Sequence, residues 1–529
     1  MKRVTTLRSK RYAFKVHSRD TKTVKIKTEN NGYGVFKTVF VVFLIVWQLA
    51  SFLFLYFLFL AAYRWYLIIS FALSLIACIH VLSTEKNGQS KAVWILFLII
   101  CFSFAYIIYI LSDEHIFFAR AKRRYNEIYS ATENLRGEYV APINANTAVK
   151  EDVEYLHNTG LFIPYTNTDI VYFPSGAQLF DDVLARLEKA EKFIFMEFFI
   201  IADGVLLTRL LDCLAKKAKE GVDIRIIYDD MGSHRTILNS TKERIKKDGI
   251  KIFAFNRLIP RFNVALNYRD HRKIIVVDGK TAYTGGSNIA DEYINEKQMY
   301  GYWKDTGVRL DGTAVDGFTL IFLRQWEFLT KTKQDYLPFL KLNQPTTNTS
   351  VVMPYADGLD YASAIGKNTY LNIMASAKEK LYIMSPYFIP DDSIINMLAN
   401  KALSGVDVRI ILPGIPDKSL VYSVSRNNAE RLIDSGAKIY CMKNSFVHSK
   451  LVLSENSVVI GSINIDLRSF YQQFESAVYT NDAKVLSDVL QDFDLTFEDC
   501  EQITNKNTKR RNIFNRIKAG ILQLFAPLM

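Results

Sequence analysis

Two stretches carry residue types that can act on a phosphate. The first is Asn267 to Glu292, NYRDHRKIIVVDGKTAYTGGSNIADE, in which His271 and Lys273 are two residues apart and point to one face of a strand. The second is Phe446 to Phe470, FVHSKLVLSENSVVIGSINIDLRSF, in which His448 and Lys450 repeat that spacing. Gly461, Ser462 and Asn464 repeat the small-residue loop that Gly285, Gly286, Ser287 and Asn288 form in the first copy. Two imidazoles and two ammonium groups around one point match a phosphate, because Lys binds phosphoryl oxygens as a point charge. Histidine is the side chain best suited to act as nucleophile or acid/base near neutral pH. Asn288 and Asn464 can donate to oxygens whose charge grows in a transition state. A lone His-x-Lys is more often a surface strand; the repetition inside one chain makes chemistry the better reading. No dense carboxylate cluster or His/Cys set suggests a metal or other cofactor, so the lysines would do the work a divalent ion does elsewhere.

The elements that must position these residues are legible nearby. Ile274 to Val277 is an apolar β-branched run, Asp278-Gly279 is a hairpin turn signal, and Thr281 to Thr284 can return antiparallel. Upstream, the spacing predicts a helix over Ala177 to Ala190, a strand KFIFMEFFI ending near Ile201, a helix to Gly221, a strand Val222 to Asp230, a helix Lys242 to Asp248 and a strand IKIFAF. The second half replays this with a helix over Asn368 to Ser376, a strand Lys380 to Phe388, a helix to Gly405, a strand Val406 to Gly414, a helix Ala429 to Ser435 and a strand AKIYCM. GVDIRII and GVDVRII are nearly identical and lie 184 positions apart, and the two histidines lie 177 apart. The chain therefore reads as a duplicated α/β unit of mixed sheets flanked by helices, with domains at 161–345 and 346–505.

Charge and hydropathy place this unit at a membrane. The net charge is +12, but residues 1–37 hold eleven Lys/Arg against Asp20 and Glu29, and residues 502–529 hold six basic residues and no acid. The rest is slightly acidic, which favours an anionic membrane surface over nucleic acid as the partner of the basic ends. After the basic tail 1–37, region 38–112 contains uncharged runs at Val39 to Ala62, Trp65 to Leu82 and Ala92 to Leu111, giving two to three transmembrane segments. The basic tail and the cluster Arg120, Lys122, Arg123, Arg124 both favour the cytoplasm, so one of the three runs is expected to be re-entrant or interfacial. Residues 113–160 read as a juxtamembrane helix and linker. Residues 506–529 read as a basic amphipathic helix, with Ile513, Phe514, Ile517, Ile521, Leu524, Phe525 and Leu528 on one face as an interfacial anchor. Five scattered cysteines, odd in number and without metal-ligand spacing, suit a reducing compartment for the soluble part.

The two stretches resemble the HxKxxxxD signature pair of the phospholipase D superfamily. PYFIPDDS, GVDVRIILPG, PDKSLVY, HRKIIVVDGK, GGSNIADEY and YWKDTGVR resemble the bacterial cardiolipin synthases within it, over nearly the whole chain after the basic tail. The resemblance implies two phospholipase D-like domains behind transmembrane helices, in a multi-pass cell-membrane protein with its catalytic domains in the cytoplasm. It implies transfer of a phosphatidyl group from one phosphatidylglycerol to another through a phosphatidyl-histidine, giving cardiolipin and glycerol. By the same analogy His271 is the nucleophile and His448 the acid/base. Lys273, Lys450, Asn288 and Asn464 hold phosphoryl oxygens, and Asp305 and Glu475 orient the imidazoles. Asp278 fills the acidic position of the first motif, and Glu455 stands at that position in the second, with a turn one residue shorter. In the superfamily this acid acts chiefly through structural hydrogen bonds. A hydrolytic phospholipase D using the same residues, a related phosphatidyltransferase with another alcohol acceptor, and a membrane scaffold with a decayed site are the competing readings.

Overall fold

The computed structural model describes residues 32–524 except 59, 85–87, 112–113, 138–145, 259–267, 359–360, 362 and 505–512. Residues 1–31 of the basic tail, Asn267, the basic run Lys506 to Arg511, and Phe525 and Leu528 of the expected anchor face lie outside the described residues.

Residues up to Ile68 and from Ile69 onward form two units. In the first, Val39–Leu58 is a helical stretch long and apolar enough to cross a membrane. Ala62–Ser83, within the helix Leu60–Ser83, is a second. The third apolar run is not one helix: it divides into Gly88–Ile100 and Ala105–Leu111 around a turn over 101–104. Neither piece, of 13 and 7 residues, spans a bilayer. The break frees backbone carbonyls, and Ser74 Oγ donates to that of Phe102 at 2.9 Å. Residues 113–160 carry two helices, Glu114–Ala131 and Thr147–Gly160, that pack on the α/β repeats. Tyr125 of the first stacks on Phe328 with ring centroids 3.8 Å apart. The second is capped by Asn146, whose side chain accepts from Val149 N, and it buries Val149, Val153 and Leu156 on one face.

From Thr168 onward the two halves share one topology. The first half contains β1 (Thr168–Phe173), β2 (Phe193–Phe198), β3 (Asp223–Asp229), β4 (Lys251–Phe255), β5 (Arg269–Asp270), β6 (Lys273–Val277), β7 (Thr281–Gly285), β8 (Tyr302–Lys304) and β9 (Gly307–Gly312). The second contains β10 (Val352–Asp357), β11 (Lys380–Met384), β12 (Phe388–Ile389), β13 (Asp407–Pro413), β14 (Lys438–Met442), β15 (Ser445–Val447), β16 (Leu451–Ser454), β17 (Val458–Gly461), β18 (Ile465–Asp466), β19 (Gln473–Thr480) and β20 (Cys500–Ile503). The first sheet runs β1-β9-β7-β6-β2-β3-β4, and the second runs β10-β19-β17-β16-β11-β13-β14 with β20 added at its edge. Strand for strand, these orders are the same. In each, three parallel neighbours (β2-β3-β4, β11-β13-β14) join an antiparallel set. The mixed α/β sheets flanked by helices are those expected.

Local chemistry explains the elements. The helix Gly176–Leu187 starts at Ser175, whose side chain accepts from Gln178 N, and buries Leu179, Phe180, Val183, Leu184 and Leu187. The run expected as one strand over Lys380 to Phe388 stops at Met384, because Pro386 has no N–H for the ladder. The helix expected over Ala429 to Ser435 instead spans Ser419–Glu430 and ends in a 3-10 turn, Ile433–Ser435. Its buried face includes Val424, Ser425 and Asn428, so a mainly polar stretch is helical through tertiary packing. One core runs through both halves, with Phe195 and Ile274 from the first, Ile383 and Val452 from the second, and Phe318 and Phe322 from the helix Val315–Thr330. A second cluster, with Leu210, Ile226 and Ile275, covers the other face of the first sheet.

Asp278 and Glu455 belong to this framework. Asp278 and Gly279 have φ of 53° and 65°, and Lys280 N donates to Val277 O at 3.0 Å, closing the β6–β7 hairpin in a two-residue turn. The Asp278 carboxylate accepts from Glu191 N, Lys192 N and Phe193 N at 2.8, 2.7 and 2.9 Å, tying the turn to the start of β2. Glu455 does the same for β11, accepting from Lys378 N, Glu379 N and Lys380 N at 2.7, 3.3 and 3.3 Å. Burial raises the Glu455 carboxyl, but its backbone donors outweigh this and hold it below its ordinary value. Both acids, grouped with the catalytic residues on the sequence, lie at the end of their hairpin away from the histidine, seven residues or about 23 Å of strand away at about 3.3 Å per residue. They are braces. Replacing Glu455 by Ala leaves three strand-start amides short of an acceptor and is expected to lower stability by about 1–3 kcal/mol. Turnover of the folded enzyme should stay within a few-fold. Urea unfolding and initial rates check this, and a lost rate at an unchanged midpoint would reverse the assignment.

Candidate active site

Two short backbone pairings cross between the halves, and they build the site. β5 runs parallel to the start of β19, and His271 N donates to Phe474 O at 2.8 Å. This sets the His271 ring against Glu475, with Nδ1 2.9 Å from Oε2 and 3.0 Å from Oε1. In the mirror arrangement β15 runs parallel to β8, and His448 N donates to Lys304 O at 2.7 Å. His448 Nδ1 then lies 2.7 Å from Asp305 Oδ2. Each imidazole of one repeat is thus held by a carboxylate of the other. An ionised carboxylate only accepts, so Nδ1 carries the hydrogen and Nε2 of the neutral ring keeps its lone pair.

Close packing makes the crossing possible. A Cβ at Gly286 would fall 2.1 Å from Asp305 Oδ1 and 3.0 Å from the His448 carbonyl, so the second glycine of the loop leaves room for the partner pair. Lys304 is anchored by Asp492, with Nζ–O distances of 2.7 and 2.8 Å, and by Pro174 O at 2.6 Å. Thr306 N donates to Asp305 Oδ1 at 2.8 Å, leaving the other oxygen for His448. Glu475 accepts short hydrogen bonds from Ser462 Oγ and Ser469 Oγ as well as from His271.

The two imidazoles, Lys273, Lys450 and Glu475 are buried, and burial sets their charge. It is the largest influence on His271, which lies well below its ordinary value, helped by the charges of Lys273, Lys450 and Arg468. Burial and Lys450 lower His448 to about 3, against the pull of Asp305. Lys273 falls to about 7 and Lys450 to about 8, in both cases mainly by burial and against nearby carboxylates. Burial pushes the Glu475 carboxyl up, against Lys273 and the two serines, whose hydrogen bonds favour its ionised form. Lys450 acts on His271 and Lys273 acts on His448, so the two motifs share one pocket. Neutral imidazoles beside lysines poised near neutrality make a site that gains charge when a phosphate enters.

The lysines are placed unequally. Lys273 Nζ donates to the His271 carbonyl at 2.5 Å, whereas Lys450 Nζ contacts the His448 carbonyl and lies 2.7 Å from Nδ1 and 3.0 Å from Nε2. Lys450 Nζ thus lies beside both ring nitrogens, closer to Nδ1, rather than along the lone pair of Nε2. Phe199 stacks edgewise on His271 at 5.1 Å, and Tyr293, Trp303 and Phe446 lie 5.2, 5.4 and 5.9 Å from the His448 ring. These rings keep the pocket dry.

Asn288 spends its carbonyl on Ile200 N at 3.0 Å and an N–H on Tyr293 OH at 2.7 Å, so one N–H remains for the phosphate role expected of it. Asn464 is buried, with Oδ1 unpartnered among the described residues, and its backbone N donates to Ser469 Oγ at 3.0 Å. Ser469, Tyr293 and Arg468 went unnoticed on the sequence. Ser469 lies six residues before Glu475, and only the turn capped by Asp466, which accepts from Ser469 N at 2.7 Å, brings them together. No group of three or more His, Cys, Asp or Glu side chains among the described residues is set to hold a metal ion.

Known proteins give this geometry its context. The family described as "Cardiolipin synthase, PLD-like domain" matches residues 183–300 and 370–496, once in each half. A cardiolipin synthase of Clostridium perfringens is 32% identical over 460 residues, which are 84% of this chain and 95% of that protein. One of Staphylococcus aureus is 31% identical over 475 residues, 87% of this chain and 96% of the other. A Streptococcus mutans protein is 40% identical over 379 residues, covering 71% and 82% of the two chains. Among solved structures, the phosphatidylserine synthase of Haemophilus influenzae shares the fold, with a TM-score of 0.55 at 15% identity over 72% of this chain and 98% of that one. Matched along both repeats and over most of its length, the chain belongs to the cardiolipin synthase family of phospholipase D-like proteins.

Proposed function

We propose that this chain is a cardiolipin synthase, a phosphatidyltransferase that moves a phosphatidyl group from one phosphatidylglycerol to the glycerol hydroxyl of another. The observation that carries the mechanism is the crossed pair of imidazole–carboxylate contacts, His271–Glu475 and His448–Asp305. His271 Nε2 attacks phosphorus and the P–O bond to glycerol breaks. The departing oxygen takes a proton from Nε2 of His448, which is protonated when the anionic phosphate is bound. The hydroxyl of a second phosphatidylglycerol then gives its proton back to His448 and attacks the phosphatidyl-histidine, and the P–N bond breaks. One alcohol leaves and another enters, so the transfer is reversible. The assignment of His271 as nucleophile and His448 as acid/base follows the resemblance to the phospholipase D superfamily; Lys273 and Lys450 each lie against the carbonyl of their own histidine. Lys273, Lys450 and the remaining amide hydrogens of Asn288 and Asn464 take the phosphoryl oxygens.

The substrates are bilayer lipids, and two helices long and apolar enough to cross a membrane precede the domains. Two crossings leave the basic tail and Arg120–Arg124 on one side, which supports a multi-pass cell-membrane protein with cytoplasmic catalytic domains.

Incubating the full chain with pure phosphatidylglycerol should yield cardiolipin and glycerol in equal amounts, and His271→Ala should abolish both and the acid-labile lipid adduct seen by mass spectrometry. Phosphatidic acid as main product would establish a hydrolase instead. Glu475→Gln keeps the shape but loses the charge that orients His271, and kcat is expected to fall about 10³- to 10⁴-fold, while a value within tenfold would remove Glu475 from the mechanism. Lys273 and Lys450 lose their charge in the free enzyme above about 7 and about 8. KM should therefore rise from pH 7 to pH 9, by up to about tenfold per pH unit for each lysine that must be recharged. A flat KM across that range at constant ionic strength would contradict the lysines' place on the phosphate.

A further inference from the structure

Away from the catalytic pocket, the helix Glu114–Ala131 and the end of the helix Val315–Thr330 flank an open surface cavity of about 460 Å³. Five basic residues line it: Arg120, Arg123 and Arg124 from the first helix, and Lys331 and Lys333 just beyond the second. Its acids are Glu127 and Glu327, so the lining carries a net charge of +3 (five minus two). The Glu327 carboxylate is engaged elsewhere, accepting from Gln334 N at 2.9 Å and Tyr336 OH at 3.0 Å. Arg124 is fixed, donating to Glu327 O at 3.3 Å and lying 5.8 Å from the centre of the Phe328 ring. Arg120, Arg123, Lys331 and Lys333 are exposed, and the ion pairs found among the described residues leave all four out. Arg123 and Glu127 also line a neighbouring cavity of about 520 Å³.

We propose that this cavity binds the phosphate of an anionic phospholipid as a site separate from the catalytic one. Charge retention in the cytoplasm explains basic residues on the helix that succeeds the apolar segments. It does not explain why Lys331 and Lys333, some two hundred residues later, converge on the same space. The carbonyl end of the helix Val315–Thr330 would repel an anion, but Arg124 N–H and Lys331 N both donate to Glu327 O there. The lipid source is indicated by position. Arg120 lies six residues, about 9 Å of helix at about 1.5 Å per residue, beyond Glu114, which follows Leu111, the end of the last apolar helix, after at most about 11 Å of chain. A basic residue close to an anionic lipid surface adds roughly 1 kcal/mol of attraction to it. Ala119, Ala131 and Ile128 supply apolar lining beside the charges.

The test is native mass spectrometry of the full chain in mild detergent, titrated with dihexanoyl phosphatidylglycerol. In His271→Ala, which cannot turn the lipid over, one copy is expected in the catalytic pocket and one in this cavity. Added to His271→Ala, the triple change Arg123→Gln, Lys331→Gln, Lys333→Gln should leave one copy bound at least tenfold more weakly, and in the otherwise intact protein the same triple change should leave turnover of the soluble lipid and the melting temperature unchanged. The single variant Lys331→Gln should give a smaller loss of the same copy. Equal binding in the triple variant would overturn the site and leave its charges to topology and helix-end compensation. Displacement of that copy by inorganic phosphate at equal concentration would overturn the lipid assignment in favour of free phosphate.

Discussion

Everything catalytic in this fold depends on the exchange of one carboxylate between repeats. Two-residue pairings at β5–β19 and three-residue pairings at β8–β15 are short as sheets go, yet they hold His271 on Glu475 and His448 on Asp305. A buried carboxylate without its partner costs several kcal/mol, so neither repeat alone has a stable version of its half-site. The common core, with Phe195 and Ile383 in one cluster, presses the repeats together and so fixes the register of both pairings. Gly286 is the local condition for that contact, since any side chain there would occupy the space of Asp305.

Burial also explains how a pocket with so many basic groups persists without substrate. Two imidazoles and two lysines packed under aromatic rings would repel strongly if all were charged. Burial lowers the proton affinity of each, leaving the rings neutral and the lysines near their midpoints. A phosphodiester reverses this balance: its negative charge raises the affinity of the lysines for protons as it binds. In the transfer proposed above, this forms the protonated state suited to leaving-group departure when the phosphate is in place, while the resting imidazole keeps the lone pair that a nucleophile needs.

Much of this was legible in the sequence, in proportion to how local its cause is. The period of two in His-x-Lys, the Asp-Gly turn and the near-identical GVDIRII and GVDVRII report strand, hairpin and repeat, and the sheets have matching strand order. Membrane-crossing length was readable for Val39–Leu58 and Ala62–Ser83 but not for the third run, whose break at 101–104 contains neither Gly nor Pro. The helix Ser419–Glu430 was missed because its stability comes from packing rather than from its own pattern. The contacts of Asp305 and Glu475 span 143 and 204 residues, and no spacing rule in one half reaches the other. They came from resemblance to a family, whereas Ser469, outside the motif that carries that resemblance, was found only in three dimensions.

The two half-sites are not equivalent, and their differences run in one direction. Glu475 is the longer acid and accepts from two serines, so it faces His271 with both oxygens. Asp305 is shorter, gives one oxygen to the backbone of Thr306 and meets His448 through the other. At the braces the lengths are reversed, Asp278 in the first repeat and Glu455 in the second. The more fully hydrogen-bonded carboxylate restricts its imidazole more, which suits the attacking role proposed for His271. The imidazole with a single carboxylate contact is freer, which suits the proton-passing role proposed for His448. Duplication supplied two copies of one motif, and unequal support of the two rings fits the division of the two-step transfer proposed for them.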